Sequence, residues 1–395
     1  MNILYVLQQS IYNNNSKWIS ADSNINMMVG VFKELVRKTD WEFYVLIAPI
    51  EDFEDINSYD EIFKHEQVHF VPYNFPIDAF LNRQHFNIFH FDFMYKALPT
   101  IDIVWNNIIE LSRNIKTYLF QNSKNTKLIS CCYWMDTPEI NEAKVDNSIS
   151  YQYRQFDGYE CSDLCIFTCK STKEAFFNNA KKLFNFSKIK EIKKKSFIWD
   201  FGFSKKEANK YKLTEKFDKT TILFLNRLSG INYTHHEEFI NAVNELYKER
   251  QDFQVVFTNP SGKYSFDELR ELVNPLYVYK EHSLSRQEYF NLLWKSDISF
   301  HGFTKERYGG CSHRESIHCN NIIVSPEVFE YKAIQGNEYS FYVNTNFSNL
   351  KEILNKAIDF KGTLSDSVYK NNNNSSFEKI STKVIKNIEI LNKKV

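Results

Sequence analysis

Glycine and proline are scarce, 10 and 8 in 395 residues, and net charge is absent, with 49 Lys plus Arg against 49 Asp plus Glu. The first shortage excludes a collagen-like or linker-rich chain. The second excludes a protein that grips nucleic acid by bulk charge, although a local basic groove stays open. Apolar runs of about eighteen residues are missing, so no membrane span is expected. The opening Met1-Asn2-Ile3-Leu4-Tyr5-Val6-Leu7 lacks the basic leader and small-residue cleavage site of a signal peptide, and a soluble, cytoplasmic protein is expected. Aromatics, by contrast, are abundant: 35 Phe, 23 Tyr and 6 Trp must be buried, which excludes intrinsic disorder. With 43% hydrophobic residues, a chain this long can fill two cores of ordinary domain size.

Seven cysteines are present, and Cys161, Cys165 and Cys169 recur every fourth residue. Asp163 to Phe167 has strand character, which sends alternate side chains to opposite faces, and no His flanks the run at ligand spacing. Buried, reduced thiols acting as small hydrophobes are expected rather than a metal site.

Short apolar runs alternate with helical spacing throughout the chain. Strands are expected at Asn2 to Leu7, Trp41 to Ile47, Gln67 to Val71, Phe86 to Phe91, Ile101 to Trp105, Thr126 to Cys132 and Leu164 to Thr168, with a helix over Asn26 to Val36. The lysine-rich stretch Lys181 to Lys195 breaks this rhythm, and a domain boundary is expected there or in the polar segment Ser204 to Lys219. Strand patterns resume at Thr221 to Leu225, Phe253 to Phe257, Leu276 to Tyr279, Asp297 to Phe300 and Ile322 to Ser325. Helical ones fall at Glu237 to Leu246, Phe266 to Val273, Arg286 to Lys295 and from Arg314 to Cys319. Such alternation is the mark of parallel sheets covered by helices, here two Rossmann-like domains at 1–200 and 219–365. Asn371 to Asn374 reads as a polar interruption before a terminal helix. That helix, within 377–395, packs either on the second domain or back on the first.

Ligands of open parallel sheets bind beyond the carboxyl ends of the strands. Three loops stand out there. Asn226-Arg227 follows the first strand of the second half, and Arg227 is suited to a diphosphate through paired charge-assisted hydrogen bonds; the plain alternative is a solvated loop Arg. Glu306 to Glu315 contains Gly309 and Gly310 before a helix, letting backbone N–H groups approach phosphate, with Ser312 adding a hydroxyl and Glu315 placed to accept ribose hydroxyls. A tight turn with a capping Ser is the alternative. In the first half, Tyr133-Trp134-Met135-Asp136-Thr137-Pro138 sets an acid after a strand, or else caps a helix. No dinucleotide glycine fingerprint, phosphate-loop motif or nucleophile elbow occurs, which argues against an NAD enzyme, a P-loop ATPase and a hydrolase of that kind.

Together these loops resemble the retaining glycosyltransferases of the GT-B class, two Rossmann-like domains facing across a cleft. More narrowly, Ser312-His313-Arg314-Glu315, Cys319, Ile322 and Val324, with Tyr133, Asp136 and Asp163-Leu164, are similar to segments of the DNA α-glucosyltransferases of T-even phages. The resemblance implies a donor site of Asn226, Arg227, His235, Glu306, Gly309, Gly310, Ser312, His313 and Glu315. It implies a nucleotide-sugar donor, a UDP-sugar first, with no metal required, since no DxD pair is placed for one. Asp136 would orient the acceptor hydroxyl or relay its proton, and Arg227 would neutralise the departing diphosphate. There are departures. Tyr233-Thr234-His235-His236 stands where the family commonly has Lys, and a His substitutes only when protonated. Eight residues, not seven, separate Glu306 from Glu315; Met135 replaces a His; Gln8 to Asn13 replaces the first-domain glycine loop.

For the acceptor, the lysine run could track a phosphate backbone, with Trp134, Arg154, Lys193, Lys194 and Lys195 as contacts and Tyr153 and Trp199 as stacking groups. A solvated helix face is the alternative. The resemblance points to a hydroxymethylated pyrimidine in double-stranded phage DNA, hence to the cytoplasm of an infected host. A cell-envelope glycan or protein glycosyltransferase and a non-catalytic nucleotide-sugar-binding module remain as alternatives.

Overall fold

The computed structural model describes residues 1–6, 23–47, 61–72, 86–132, 148–226, 234–258, 276–279, 284–304, 310–360 and 362–393. Two compact units form, Met1–Asp200 with Phe377–Val395, and Phe201–Ser376. Expected features at Gln8 to Asn13, Tyr133 to Pro138 and Phe266 to Val273 lie outside the described residues.

Unit 1 is built on the parallel strands β1 (Asn2–Val6), β2 (Glu42–Ile47), β3 (Val68–Pro72), β4 (Ile103–Asn106), β5 (Lys127–Cys132), β6 (Leu164–Phe167) and β7 (Ser196–Ile198). They lie in the order β3-β2-β1-β4-β5-β6-β7. Residues 3–6, 103–106 and 164–167 are buried without alternation, as strands covered on both faces must be. Its helices are α1 (Ser23–Lys38), α2 (Ile88–Ala97), α3 (Ser112–Asn122), α4 (Ser148–Cys161), α5 (Lys170–Leu183) and α6 (Phe186–Lys194).

Unit 2 begins with α7 (Lys205–Lys210) and alternates β8 (Thr220–Phe224), α8 (His236–Glu249), β9 (Phe253–Thr258), β10 (Leu276–Tyr279), α9 (Arg286–Lys295), β11 (Ile298–Phe300), α10 (Cys311–His318), β12 (Ile322–Pro326), α11 (Phe329–Gln335), β13 (Tyr342–Val343), α12 (Leu350–Asp359) and α13 (Asp366–Asn373). Its strand order is β10-β9-β8-β11-β12-β13, all parallel. The last helix, α14 (Phe377–Asn392), belongs to unit 1. It lies against α1, where the Phe377 ring occupies the space a Cβ on Gly30 would need, 2.1 Å away. Lys38 Nζ donates to Glu378 O and Ser381 Oγ, each at 2.7 Å.

Several sequence expectations are corrected. Phe86 to Phe91 is not a strand: Asn87 Oδ1 accepts from His90 N at 3.0 Å and caps α2. Only Phe91 and Met94 of that helix are buried, a three-residue spacing that the dense aromatics hide in the sequence. α10 starts at Cys311 rather than Arg314, because Gly310 at φ +42° turns the chain into it. Asn371 to Asn374 does not interrupt; it ends α13, with Asn372 Nδ2 donating to Arg314 O at 2.9 Å. The lysine stretch is folded into the end of α5 and into α6, which buries Ile189 and Ile192. Cys161 and Cys165 are free thiols donating to Gly158 O and Tyr159 O, each at 3.3 Å. Burial pushes their thiols up, to about 11 and about 12.

Candidate functional site

In unit 2 the chain order along the sheet reverses between β8 and β11, and open parallel sheets bind their ligands past the carboxyl ends of the strands at such a point. Asn226, just past β8, is buried and donates from Nδ2 to Phe300 O, the last residue of β11, at 3.4 Å. Gly302 follows. A Cβ there would meet Thr234 O at 2.1 Å, so only glycine lets the segment entering α8 pass so near the end of β11. His235 starts α8 in the left-handed region at φ 52°. Its Nδ1–H donates to Glu238 Oε1 at 3.1 Å, Nε2 meets Thr304 Oγ1 at 3.1 Å, and the ring rests on Phe347 at 4.3 Å.

Gly310 caps α10, whose first-turn N–H groups have no partner inside the helix. Those groups and the positive end of the helix dipole suit an anion. One turn on, Glu315 is buried and held at both oxygens: Oε1 accepts from Arg286 Nη2 at 2.8 Å and Oε2 from the Tyr289 hydroxyl at 2.8 Å. Arg286 also donates to Glu207 through Nε at 3.0 Å and Nη2 at 2.9 Å. Its guanidinium lies 4.7 Å from the Phe290 ring centre. Burial disfavours the charge of Arg286, but Glu315 and Glu207 outweigh it and hold the pKa well above the ordinary value. Burial and the neighbouring Glu315 carboxylate push Tyr289 upward too, so it stays a donor. One guanidinium between two carboxylates leaves the cluster one negative charge in excess. Each Glu315 oxygen keeps a lone pair for a further donor such as a sugar hydroxyl.

Of the expected donor residues, Asn226, His235, Gly310, Ser312, His313 and Glu315 lie in unit 2 around these strand ends. His313 is fully buried: Nε2–H donates to Gln335 Oε1 at 2.9 Å and its ring meets His301 edge-on at 5.3 Å. It wedges α10 against the end of β11 instead of offering a surface to a ligand. Burial holds His301 down at about 3 and His313 well below the ordinary range, so both are neutral. Arg227, Glu306, Gly309, Trp134 and Asp136 lie outside the described residues. Among the acceptor candidates, Arg154 and Lys194 are exposed on α4 and α6, and Lys193 is exposed with Nζ 5.0 Å from the Phe177 ring centre. Two expectations fail. Lys195 Nζ donates to the carbonyl oxygens of Glu160 and Ser162 and so ties α4 to the chain after α6. Trp199 is buried against Trp105 at 5.7 Å, because the two indoles fill one gap in the core, and it cannot stack on a base.

Sequence reasoning missed Arg286, Tyr289, Glu207 and Gly302. A signal for the first two was present: Ser285 and Glu288 form a reciprocal capping box, which fixes the helix start and puts Arg286 and Tyr289 three apart on one face. Among the described residues no group of three or more His, Cys, Asp or Glu is placed to hold a metal ion.

No protein-family model matches the chain, and no curated protein matches it in sequence. Solved structures do match over nearly the whole length. An E. coli trehalose-6-phosphate protein bound with UDP-2-fluoro glucose is 13% identical, with a TM-score of 0.66 and 99% of each chain covered. A Rickettsia africae glycosyltransferase is 14% identical at a TM-score of 0.68, covering 99% of this chain and 98% of that one. The fold is GT-B. Anabaena HepE, in complex with UDP and glucose, shares it at 12% identity and a TM-score of 0.65, with 98% of this chain and 99% of that chain covered. Two Rossmann-like units are what a GT-B chain is made of, and the reversal between β8 and β11 is the kind of point at which open parallel sheets bind ligands. Among the described residues no helix is long and apolar enough to cross a membrane.

Proposed function

We propose that this chain is a retaining glycosyltransferase that takes a sugar from a UDP-sugar and places it on the hydroxyl of a hydroxymethylated pyrimidine in duplex DNA. The observation that supports it most is at the topological reversal past β8 and β11, where a glycine-led helix start and the Arg286-held Glu315 occur on one short helix. The helix start meets the diphosphate, and Glu315 accepts the ribose hydroxyls. UDP is the nucleotide in the E. coli and Anabaena structures of the same fold.

In the reaction, the acceptor oxygen bonds to the anomeric carbon while the bond from that carbon to the phosphate oxygen breaks. The leaving phosphate takes the bonding electrons and then the acceptor's proton. Negative charge therefore grows on the diphosphate, where Arg227, Ser312 and the N–H groups following Gly310 supply fixed positive partners. Asp136 orients the attacking hydroxyl. The DNA acceptor is supported by the lysine-rich surface of unit 1. Incubating hydroxymethylated duplex DNA with a panel of nucleotide sugars and weighing the released nucleosides tests the proposal. A hexose or pentose mass on the modified pyrimidine is expected. Donor hydrolysis without nucleoside modification would move the acceptor to a glycan or protein, and no turnover of any donor would refute the enzyme.

A further inference from the structure

The chain is neutral overall, yet residues 181–195 hold seven lysines and a single acid, Glu191. Helix α6 turns its two isoleucines, Ile189 and Ile192, into the core and everything else outward. Not all of its cations are free. Lys188 pairs with Glu160 of α4 at 2.5 Å, and Lys195 is spent on backbone carbonyls, so these two clamp α6 to α4. Lys182, Lys190, Lys194 and Arg154 of α4 are exposed and make no ion pair with any of the described residues. Between them stand two aromatics with no burial to account for them: Phe186 is 78% exposed and Tyr153 is 44% exposed. Tyr153 sits edge-on to Phe184 at 5.3 Å, two residues before Phe186, so α4 and α6 present one continuous surface.

We propose that this α4–α6 surface is the site that docks double-stranded DNA, with Lys182, Lys190, Lys194 and Arg154 on phosphates and Phe186 against sugar and base edges. The inference rests on the DNA-acceptor reading and deepens it. Cations of one sign along a helix about 13 Å long match a phosphate backbone, whose charge repeats every few ångströms. A lipid surface fits poorly, because an interfacial helix needs an apolar face to sink, and α6 has already buried its own. Interleaved aromatics add contacts that do not depend on salt.

The test is fluorescence anisotropy of a labelled unmodified duplex of about 20 base pairs with the full chain, over about 50 to 200 mM salt. The wild type is expected to bind with a steep salt dependence. Replacing Lys182, Lys190, Lys194 and Arg154 together by Gln is expected to weaken binding at least about tenfold and to flatten the log–log salt slope by about 3 to 4. Phe186→Ala is expected to weaken binding severalfold with the slope unchanged, which separates contact from charge. All five side chains are exposed, and an unchanged circular dichroism spectrum and melting temperature confirm folding. Equal binding by the quadruple variant overturns this surface and leaves a DNA acceptor standing. Absence of wild-type duplex binding, with donor hydrolysis still observed, overturns both the surface and the DNA acceptor while sparing the donor site. Tighter binding to phosphatidylserine vesicles than to the duplex also overturns it.

Discussion

At the junction of β1 and β4 in unit 1, Asn106 donates from Nδ2 to Ile108 O at 2.7 Å and to Ser112 Oγ at 2.8 Å. Its Oδ1 accepts from Ile108 N at 3.0 Å, and the chain of hydroxyls continues from Ser112 to Ser130 to Ser162. Every member is neutral and buried. The topologically equivalent junction of unit 2, between β8 and β11, instead gathers a helix start at Gly310 and the charged trio Glu207, Arg286 and Glu315. The two sheets share one strand order through their first six strands, so topology fixes only where a ligand can bind. The side chains decide which. A closed network of serines stabilises a strand end, whereas a carboxylate with lone pairs to spare beside a dipole end has the chemistry to suit a hydroxylated anion.

The sharpest way to break the contrast is to remove the cation assigned to the diphosphate. Arg227→Ala should lower kcat by about 100-fold or more in steady-state transfer assays, the scale of losing one donor to a developing anion. Normal turnover would remove the phosphate site.

Next come two glycines, one per unit. Gly302→Ala forces a Cβ to within 2.1 Å of Thr234 O, and Gly158→Ala to within 2.3 Å of Ile109 O, and neither carbonyl has a flexible end to swing away. Each should cost about 3 kcal/mol in its own unit, the upper range for overpacking. Calorimetry with unit-resolved hydrogen exchange should find the loss in unit 2 for the first and in unit 1 for the second; a tolerated alanine would contradict the close approach.

Removing the partner of Glu315 has a smaller effect. Arg286→Ala should destabilise unit 2 by about 2 kcal/mol, below the usual cost of orphaning a buried charge because Arg286 is 30% exposed. The same change should raise the KM for the donor more than it lowers kcat. Tyr289→Phe should shift KM in the same direction by less.

Acid separates the units as well. Among the described residues the buried histidines, His236, His301 and His313, are all in unit 2. His301 is held at about 3 in the folded state against 6.5 unfolded, and His313 is held well below the ordinary range by burial, by His301 and by Arg314. Unfolded chains therefore bind protons that folded unit 2 refuses. Its stability is intact above about pH 6.5 and falls as pH drops toward 3, by up to about 1.4 kcal/mol per pH unit for each of His301 and His313. His301→Gln should flatten that slope in pH-dependent melting, and an unchanged slope would show that the ring is not the group involved.

How far this architecture could be read from sequence depended on period. β1, β4, β6, β8 and β12 are continuous apolar runs between turns, and all were legible because buried parallel strands need nothing else. The stretch from Phe86 was not, since Phe89 and Phe93 are exposed and blur the spacing that Phe91 and Met94 define. Gly310 and Glu315 were legible because glycine before a helix and an acid one turn later have a local signature. Arg286 and Glu207 were not, because Arg286 meets Glu315 and Glu207 only through packing of α7, α9 and α10, at separations of 29 and 79 residues that no local pattern records. For the same reason the sequence alone makes Lys195 look like a contact residue, whereas its partners, Glu160 O and Ser162 O, lie 35 and 33 residues away.

Hydrogen exchange with and without a panel of UDP-sugars, followed by peptide-level mass spectrometry, tests the central claim most directly. The account predicts slowed exchange over Gly310 to His318 and around Asn226, with the β4 junction at Asn106 unchanged by UDP alone. Protection confined to unit 1, or none at Gly310 to His318 with any donor, would contradict it.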